Sequence, residues 1–325
     1  MFIRGINDQR QIRVKLDDKG ELVHILDGSC AVYGRISLPD ALVRSVVLFG
    51  YGVKQIGFRL PEKPSLIFNQ ISDPDTHQGS LKRCLKLVET TGVPVINPPL
   101  RVLESSREQV AEKLQDIPRL VMPKTIRFKP RSHHDPFREA SDRGIELPFI
   151  VRVAGDHNGE RMVLVENSDQ IDSLYALPFD GRDFYLTQFV DFQSKDGLFR
   201  KTRIAVVDGV PMIRHHLINS GWMLHASSND FMQRNAAHMA EARNYMAQFD
   251  ATVRPAIADR ISEISRRLGL DYYGIDCHIS DQGVMSIFEA NANMNILLIQ
   301  RKEHREYVEA IKQQIVQLIA NRCGG

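Results

Sequence analysis

Two apolar runs joined by a short polar turn, with acidic residues in strand register, constrain this chain more than any other feature. The runs are Tyr272-Tyr273-Gly274-Ile275-Asp276-Cys277-His278-Ile279 and Val284-Met285-Ser286-Ile287-Phe288-Glu289-Ala290-Asn291-Ala292-Asn293, with Ser280-Asp281-Gln282-Gly283 between them. Both runs are rich in β-branched and aromatic residues, and the polar tetrad is turn chemistry, with Gly283 free to take a positive φ. A β-hairpin is predicted. The period of two puts Asp276 on one face with Gly274 and His278, and Glu289 on one face with Asn291. A loop of two or four residues makes those faces coincide, leaving the carboxylates opposite or diagonal, about 5 to 8 Å apart. Two carboxylates so close repel in a half-buried sheet, and a cation between them resolves the repulsion. The oxygen-only set Asp276, Glu289 and Asn291 favours Mg²⁺ over Zn²⁺. The same spacing also suits an acidic patch on a solvated hairpin face.

Elsewhere strands and helices mix. Ile12–Leu16 and Leu22–Leu26 read as a hairpin across Asp17-Asp18-Lys19-Gly20, and Ser45–Phe49 as a strand or helix end. Ser65–Asn69, a helix over Gly79–Thr91 with Leu81, Cys84, Leu85 and Val88 at helical spacing, and Val93–Asn97 form a βαβ unit, hence a small parallel sheet. Ligands sit beyond the carboxyl ends of such strands, so Asn69, Asp73, Asp75 and His77 are candidate substrate contacts; Asx turns and a helix cap are the alternative use for the two aspartates. A helix capped by Ser105 or Ser106 is expected over Glu104–Leu114, and an exposed loop around Arg131–Asp135. Pro148–Val153 and Arg161–Val165 flank a glycine-punctuated loop whose backbone can approach an anion. Phe184–Val190 reads as a buried strand, and Phe199–Val207 with Val210–Leu217 as a hairpin on which Lys201 and Arg203 share a face. Trp222 suits either a substrate stack or the core. Residues 235–269 are helical, with Ile257, Ile261, Ile264 and Leu268 on one stripe, and a terminal helix carries Val308, Ile311, Ile315 and Ile319.

Composition narrows the class. With 42 Lys plus Arg against 40 Asp plus Glu in 325 residues, the net charge of +2 implies no nucleic-acid or membrane field. Cys30, Cys84, Cys277 and Cys323 form no CxxC pair, which fits free thiols in a cytoplasmic protein. No stretch approaches the roughly 20 apolar residues of a membrane helix, and the start lacks a signal peptide's apolar core.

Gly274-Ile275-Asp276, followed thirteen positions after the Asp by Glu289-Ala290-Asn291, resembles the metal-binding end of the ATP-grasp superfamily. Within it, the chain resembles the branch containing prokaryotic glutathione synthetase and the ligases that add glutamate to a ribosomal protein. The resemblance implies an α+β fold in which two antiparallel sheets grip ATP beside an N-terminal α/β pre-grasp domain. The implied division is residues 1–118 for that domain, 119–188 for the lid and 189–325 for the core with its metal site. Asp276, Glu289 and Asn291 then hold two Mg²⁺ ions on the ATP phosphates. Gly155, His157 and Gly159 belong to a flap over the phosphates, and Arg152 stands where relatives place a phosphate-binding Lys. Gln188, Phe189 and Val190 form the hinge under the adenine, and Lys201 and Arg203 point into the cleft, with His216 in reach from the paired strand.

The implied activity joins a carboxylate to an amine, on small molecules or peptides, through an acylphosphate; relatives are often homodimers. The chain departs from the pattern at Gly274, where D-alanine ligases carry an Arg; in lacking an evident early Lys among Arg107, Lys113 and Lys124; and in continuing Ala292-Asn293-Met294-Asn295 where relatives have Pro-Gly. A small-molecule kinase, or an ATP-binding protein without catalysis, are the alternatives on this fold.

Overall fold

The computed structural model describes residues 1–17, 19–30, 32–38, 43–50, 63–156, 159, 161–225, 228–298 and 301–324. In chain order the first elements are β1 (Phe2–Gly5), β2 (Arg13–Leu16), β3 (Leu22–Ile25), β4 (Ser45–Leu48), β5 (Ile67–Asn69), α1 (Gln78–Thr91), β6 (Val95–Ile96), α2 (Pro99–Leu103) and α3 (Arg107–Leu114). A middle group follows: β7 (Leu120–Val121), β8 (Thr125–Phe128), α4 (Asp135–Arg143), β9 (Phe149–Val153), β10 (Met162–Val165) and β11 (Phe184–Gln188). The last are β12 (Phe199–Val207), β13 (Val210–Asn219), α5 (Ser228–Gln233), α6 (Ala236–Gln248), α7 (Arg254–Leu268), β14 (Tyr272–Ile279), β15 (Met285–Ala292) and α8 (Arg305–Cys323).

Three sheets carry the architecture, which is α+β as expected. The N-terminal sheet, in the order β4-β1-β5-β6, is parallel throughout and contains the predicted βαβ unit. The middle sheet, β10-β9-β11-β8, is antiparallel, and the third runs β13-β12-β14-β15-β7 with only β7 parallel to its neighbour. β7 therefore extends the third sheet, and the strands of the middle sheet begin at Thr125. Among the described residues, no helix is long and apolar enough to cross a membrane.

Local chemistry explains the ends of these elements. Ser106 caps α3 in a capping box with Gln109. The carboxylate that caps α1 comes from a distance: Asp8 accepts from the Gln78 and Gly79 amides at 2.9 and 2.8 Å. Residues 131–135 are not simply the exposed loop expected. Asp135 is buried, accepts from the Arg131 and Ser132 amides at 2.6 and 3.0 Å, and opens α4 with Pro136 in its first turn.

β1, which the sequence reading leaves unassigned, is an inner strand of its sheet, with Phe2 and Ile3 in the core. Two apolar residues are too few to show a period. The stripe on α7 is buried as predicted, each such side chain contributing roughly 1.5–3 kcal/mol. On α8, Leu318 is buried with Val308, Ile311 and Ile315, where Ile319 was expected.

A buried amide pair joins the N-terminal sheet to the β14–β15 hairpin. Asn97 donates through Nδ2 to Tyr272 O and Asn293 Oδ1 at 2.6 and 2.8 Å, and its Oδ1 accepts from the Asp271 and Tyr272 amides, both at 2.9 Å. Asn293 in turn donates to Asn69 O and Ile71 O at 3.1 and 3.3 Å. Both asparagines take positive φ, which their short polar side chains tolerate. The Asn293 amide thus holds two parts of the molecule together.

Candidate active site

The floor of the cleft is one row across three strands. Arg203 on β12 pairs with Asp276 on β14, and Asp276 pairs with Glu289 on β15. The closing pair Ile279–Met285 leaves a five-residue loop, an odd number that in regular register would set Asp276 opposite Phe288. A β-bulge absorbs Phe288 and brings Glu289 opposite Asp276. The carboxylates thus meet as predicted, by a bulge and not by an even loop.

Both carboxylates carry cations. Arg203 donates to Asp276 through Nε at 2.6 Å and Nη2 at 2.8 Å, and Lys201 Nζ lies 3.2 Å from Asp276 Oδ2. Burial alone would raise the Asp276 carboxyl, but Arg203 and Lys201 outweigh it and hold it well below the usual range. Arg107, in the first turn of α3, donates to Glu289 Oε1 at 2.6 Å and to Phe288 O at 3.2 Å. Asn291 donates to the same Glu289 oxygen through Nδ2, so its own Oδ1 remains an acceptor.

The middle sheet forms the roof. Arg152 on β9 enters the cleft and donates to Asp156 O, while its buried Nε has no partner among the described residues. Burial, and then the charge of Arg107, lower the Arg152 guanidinium to about 10. Gly155 and Gly159 both take positive φ. A side chain at Gly159 would meet His225, whose Nε2 stands 2.6 Å from the position of its Cβ. His157 lies outside the described residues.

At the inner end, Phe189 and Val190 line the cleft beside Trp222, whose ring meets that of Phe189 edge-on at 5.7 Å. Gln188 also lines it, but its side-chain amide accepts from the Glu146 amide and donates to Glu146 O and Pro148 O. The Gln188 and Phe189 amides donate to Lys124 O and Pro148 O, at 2.9 and 3.0 Å, so both are bonded within the fold.

The five substrate candidates lie elsewhere. Asn69 is buried, bonded to Asn97 O and the Ile71 amide. Asp73 accepts from the Asp75 amide and Thr76 Oγ1, and His77 from or to Thr76 Oγ1, so these shape their own turn. Asp75 reaches the middle sheet. His216 is corrected most plainly: it pairs with Thr202, on the sheet face opposite Lys201 and Arg203, where its ring stacks on Tyr245 at 4.0 Å. Arg107, weighed as an early cation, and Trp222, offered to a substrate stack or the core, both line the cleft, and so does His225, for which sequence reasoning found no role. Their positions depend on long-range packing that no local pattern records.

Among the described residues of the cleft lining, four cations, Arg107, Arg152, Lys201 and Arg203, face two carboxylates, Asp276 and Glu289, a surplus of two positive charges suited to a polyphosphate. Among the described residues, no three His, Cys, Asp or Glu side chains gather where they could hold a metal ion. The candidate donor set is two opposed carboxylates and one amide. Its oxygen chemistry fits Mg²⁺ provided that phosphate oxygens and water supply the remaining positions.

No family model matches the chain. It is 23% identical over 306 residues, 91% of its length, to N-acetylaspartylglutamate synthase A of Mus musculus, covering 75% of that protein. It is 22% identical over 293 residues to β-citrylglutamate synthase B of Homo sapiens, covering 89% of this chain and 70% of that one. Among solved structures, an ATP-grasp RimK domain protein of Sphaerobacter thermophilus superposes with a TM-score of 0.50 at 12% identity, over 86% of this chain and 90% of that one. D-alanyl-alanine synthetase A of Vibrio cholerae superposes with a TM-score of 0.51 at 12% identity, over 80% and 77%. The chain has the ATP-grasp fold.

Proposed function

We propose that this chain is an ATP-dependent carboxylate–amine ligase. The observation that carries the reading is the facing pair Asp276 and Glu289, with Asn291, on the floor of a cleft that Arg107, Arg152, Lys201 and Arg203 make positive. ATP lies between the two sheets, its adenine among Phe189, Val190 and Trp222 and its phosphates among the four cations. Asp276, Glu289 and Asn291 are the residues that would hold Mg²⁺, which when bound neutralises phosphate oxygens.

Phosphoryl transfer of this kind needs positioned charge and no protein nucleophile. A substrate carboxylate oxygen attacks the γ-phosphorus, and the bond to the ADP oxygen breaks. The amine then attacks the acyl carbon, the carbon–phosphate oxygen bond breaks, and amide, phosphate and a proton leave. Arg203 and Lys201 are the catalytic cations of this reading. Arg107, bonded to Glu289 at the edge of the floor, and Arg152, from the roof, neutralise the phosphates.

The products named for the two relatives both end in glutamate, so glutamate is the first amine to try, with N-acetylaspartate and citrate as carboxylates. The test is thermal stabilisation by ATP with and without Mg²⁺, then phosphate release in mixtures of these acceptors. At 100 times its dissociation constant ATP stabilises by about 2.7 kcal/mol, a shift of a few degrees that Glu289→Ala weakens. Phosphate release that needs both carboxylate and amine supports the ligase. A phosphorylated product that accumulates without an amine makes it a kinase, and no Mg²⁺-dependent shift overturns nucleotide binding.

A further inference from the structure

The segment after β13 forms a side wall of the cleft, joining its floor to its roof. Leu224 and His225 both line the cleft, and Leu224 O accepts from Lys201 Nζ at 2.5 Å, so the cation beside Asp276 also fixes the wall. The wall is tied from behind as well. The His225 amide donates to Ser228 Oγ at 3.2 Å, the Ser228 amide to His225 O at 2.9 Å, and Asn219 Nδ2 to the same Oγ at 2.9 Å, with Ser228 fully buried. On the roof side the imidazole lies against Gly159, where a Cβ would stand 2.6 Å from Nε2 and 2.9 Å from Cε1. His225 is therefore held in place between the two sheets that grip the cleft.

Two nitrogens of the cleft lining are buried with no partner among the described residues, Nε2 of His225 and Nε of Arg152. Buried polar groups in folded proteins are paired as a rule, and two orphans in one cleft call for a ligand that accepts from them. The charges around the imidazole name its kind. Lys201 on β12 and Arg152 on β9 oppose a proton on the ring, while Asp276 on β14 and Glu289 on β15 favour one; Arg107 and Arg203 line the same cleft. Burial, then the two cations, prevail and lower the imidazole from its ordinary value, so in the free protein the ring is neutral near pH 7. An anion laid against the same cations reverses that balance.

We propose that His225 is a phosphate-binding residue, which joins Lys201 and Arg152 on a bound polyphosphate and takes up a proton from solvent as the anion enters. The imidazolium has a donor at both nitrogens, and a phosphate oxygen is the acceptor this corner otherwise lacks. Phe189, Val190 and Trp222 supply the apolar end of the cleft, so His225 addresses the phosphates and not the base. That the anion is the triphosphate of ATP rests on the ligase reading; that the corner binds a polyphosphate does not.

Titration calorimetry with inorganic tripolyphosphate and with ATP, Mg²⁺ in excess, tests it on wild type, His225→Phe and His225→Gln, in two buffers of different ionisation enthalpy. Phe keeps a ring against Gly159 and Gln keeps a neutral donor, so packing, hydrogen bonding and charge are separated. The Kd for tripolyphosphate rises at least tenfold in His225→Phe, as loss of a charge-assisted contact predicts, and less in His225→Gln. At pH 6.5 wild type takes up more protons per ligand bound than either variant, and its affinity falls more steeply than theirs as pH rises from 6.5 to 8. A Kd in His225→Phe within about twofold of wild type overturns phosphate binding by His225, and equal proton uptake in wild type and His225→Gln overturns the imidazolium. Should His225→Phe fail to fold, His225→Gln decides: weaker binding with less proton uptake supports the proposal, and values equal to wild type overturn it. Wild type that binds tripolyphosphate and ATP as tightly as both variants do leaves the ligase reading standing without His225. Wild type that binds neither overturns the two together, and His225-dependent binding with no amide formed from any acceptor mixture overturns the ligase reading alone.

Discussion

Of the three side chains weighed for the early phosphate-binding cation, two are committed elsewhere. Lys113 Nζ donates to Glu104 O at 2.9 Å, and Lys124 Nζ to Arg143 O. Arg107 alone of the three lines the cleft. Arg107→Met should weaken Mg²⁺–ATP binding at least tenfold by titration calorimetry, as loss of one charge-assisted contact worth about 1.5–3 kcal/mol predicts, and Lys124→Met should leave it within twofold. His216, on the far face, has a different consequence. Burial, then the charges of Arg200 and His278, lower its imidazole to about 3, so it is neutral when folded, whereas in the unfolded chain it titrates near 6.5. Its folded pKa is depressed, so the unfolded state binds the extra proton. The stability it permits is complete above about pH 6.5 and lost as pH falls towards 3, by up to about 1.4 kcal/mol per pH unit. His216→Asn, which keeps an acceptor for Thr202, should flatten urea-derived stability between pH 6 and 4 by close to one proton. An unchanged slope would refute the buried neutral imidazole.

Within the β14–β15 hairpin, the face of each residue was legible because a period of two leaves only two choices. The loop length was not, since whether Val284 belongs to turn or strand depends on pairing, and the bulge at Phe288 compensates for the odd loop. The departure at Gly274 has a packing cause. A Cβ there would lie 2.5 to 2.6 Å from Met294 Sδ and Cβ, so a side chain at this position has no room. Gly274→Ala should therefore destabilise the protein by about 1–3 kcal/mol through overpacking, read from the urea midpoint. Adding Met294→Ala should recover part of that loss, a coupling that two independent sites would not show. Helices were legible in proportion to their stripes: α7 and α8 are long and amphipathic. α4, nine residues that begin at Asp135, shows no such run.

Across the whole molecule, the parts were more legible than the joints. Strand runs, the βαβ unit and the ligand types on β14 and β15 follow from local pattern, whereas the α+β class came with the resemblance. Asp8 capping α1, Asp75 reaching Tyr185, and Asn97 meeting Asn293 link residues 70, 110 and 196 positions apart, and nothing local marks them. The asparagine joint bears most directly on the site, because Asn293 lies two residues beyond Asn291 and holds that end of β15 against the N-terminal sheet. Asn97→Gly keeps the positive φ without strain and removes only the amide. It strips partners from the Asp271 and Tyr272 amides, from Tyr272 O and from Asn293. An unsatisfied buried group costs about 1–3 kcal/mol, and relaxation keeps such losses from adding fully, so about 3 kcal/mol should be lost in urea unfolding. If the two sheets unfold as one unit, the transition stays single and moves to lower urea. If the joint is what makes them one unit, it splits in two, and Mg²⁺ with ATP raises only the step that carries β14 and β15.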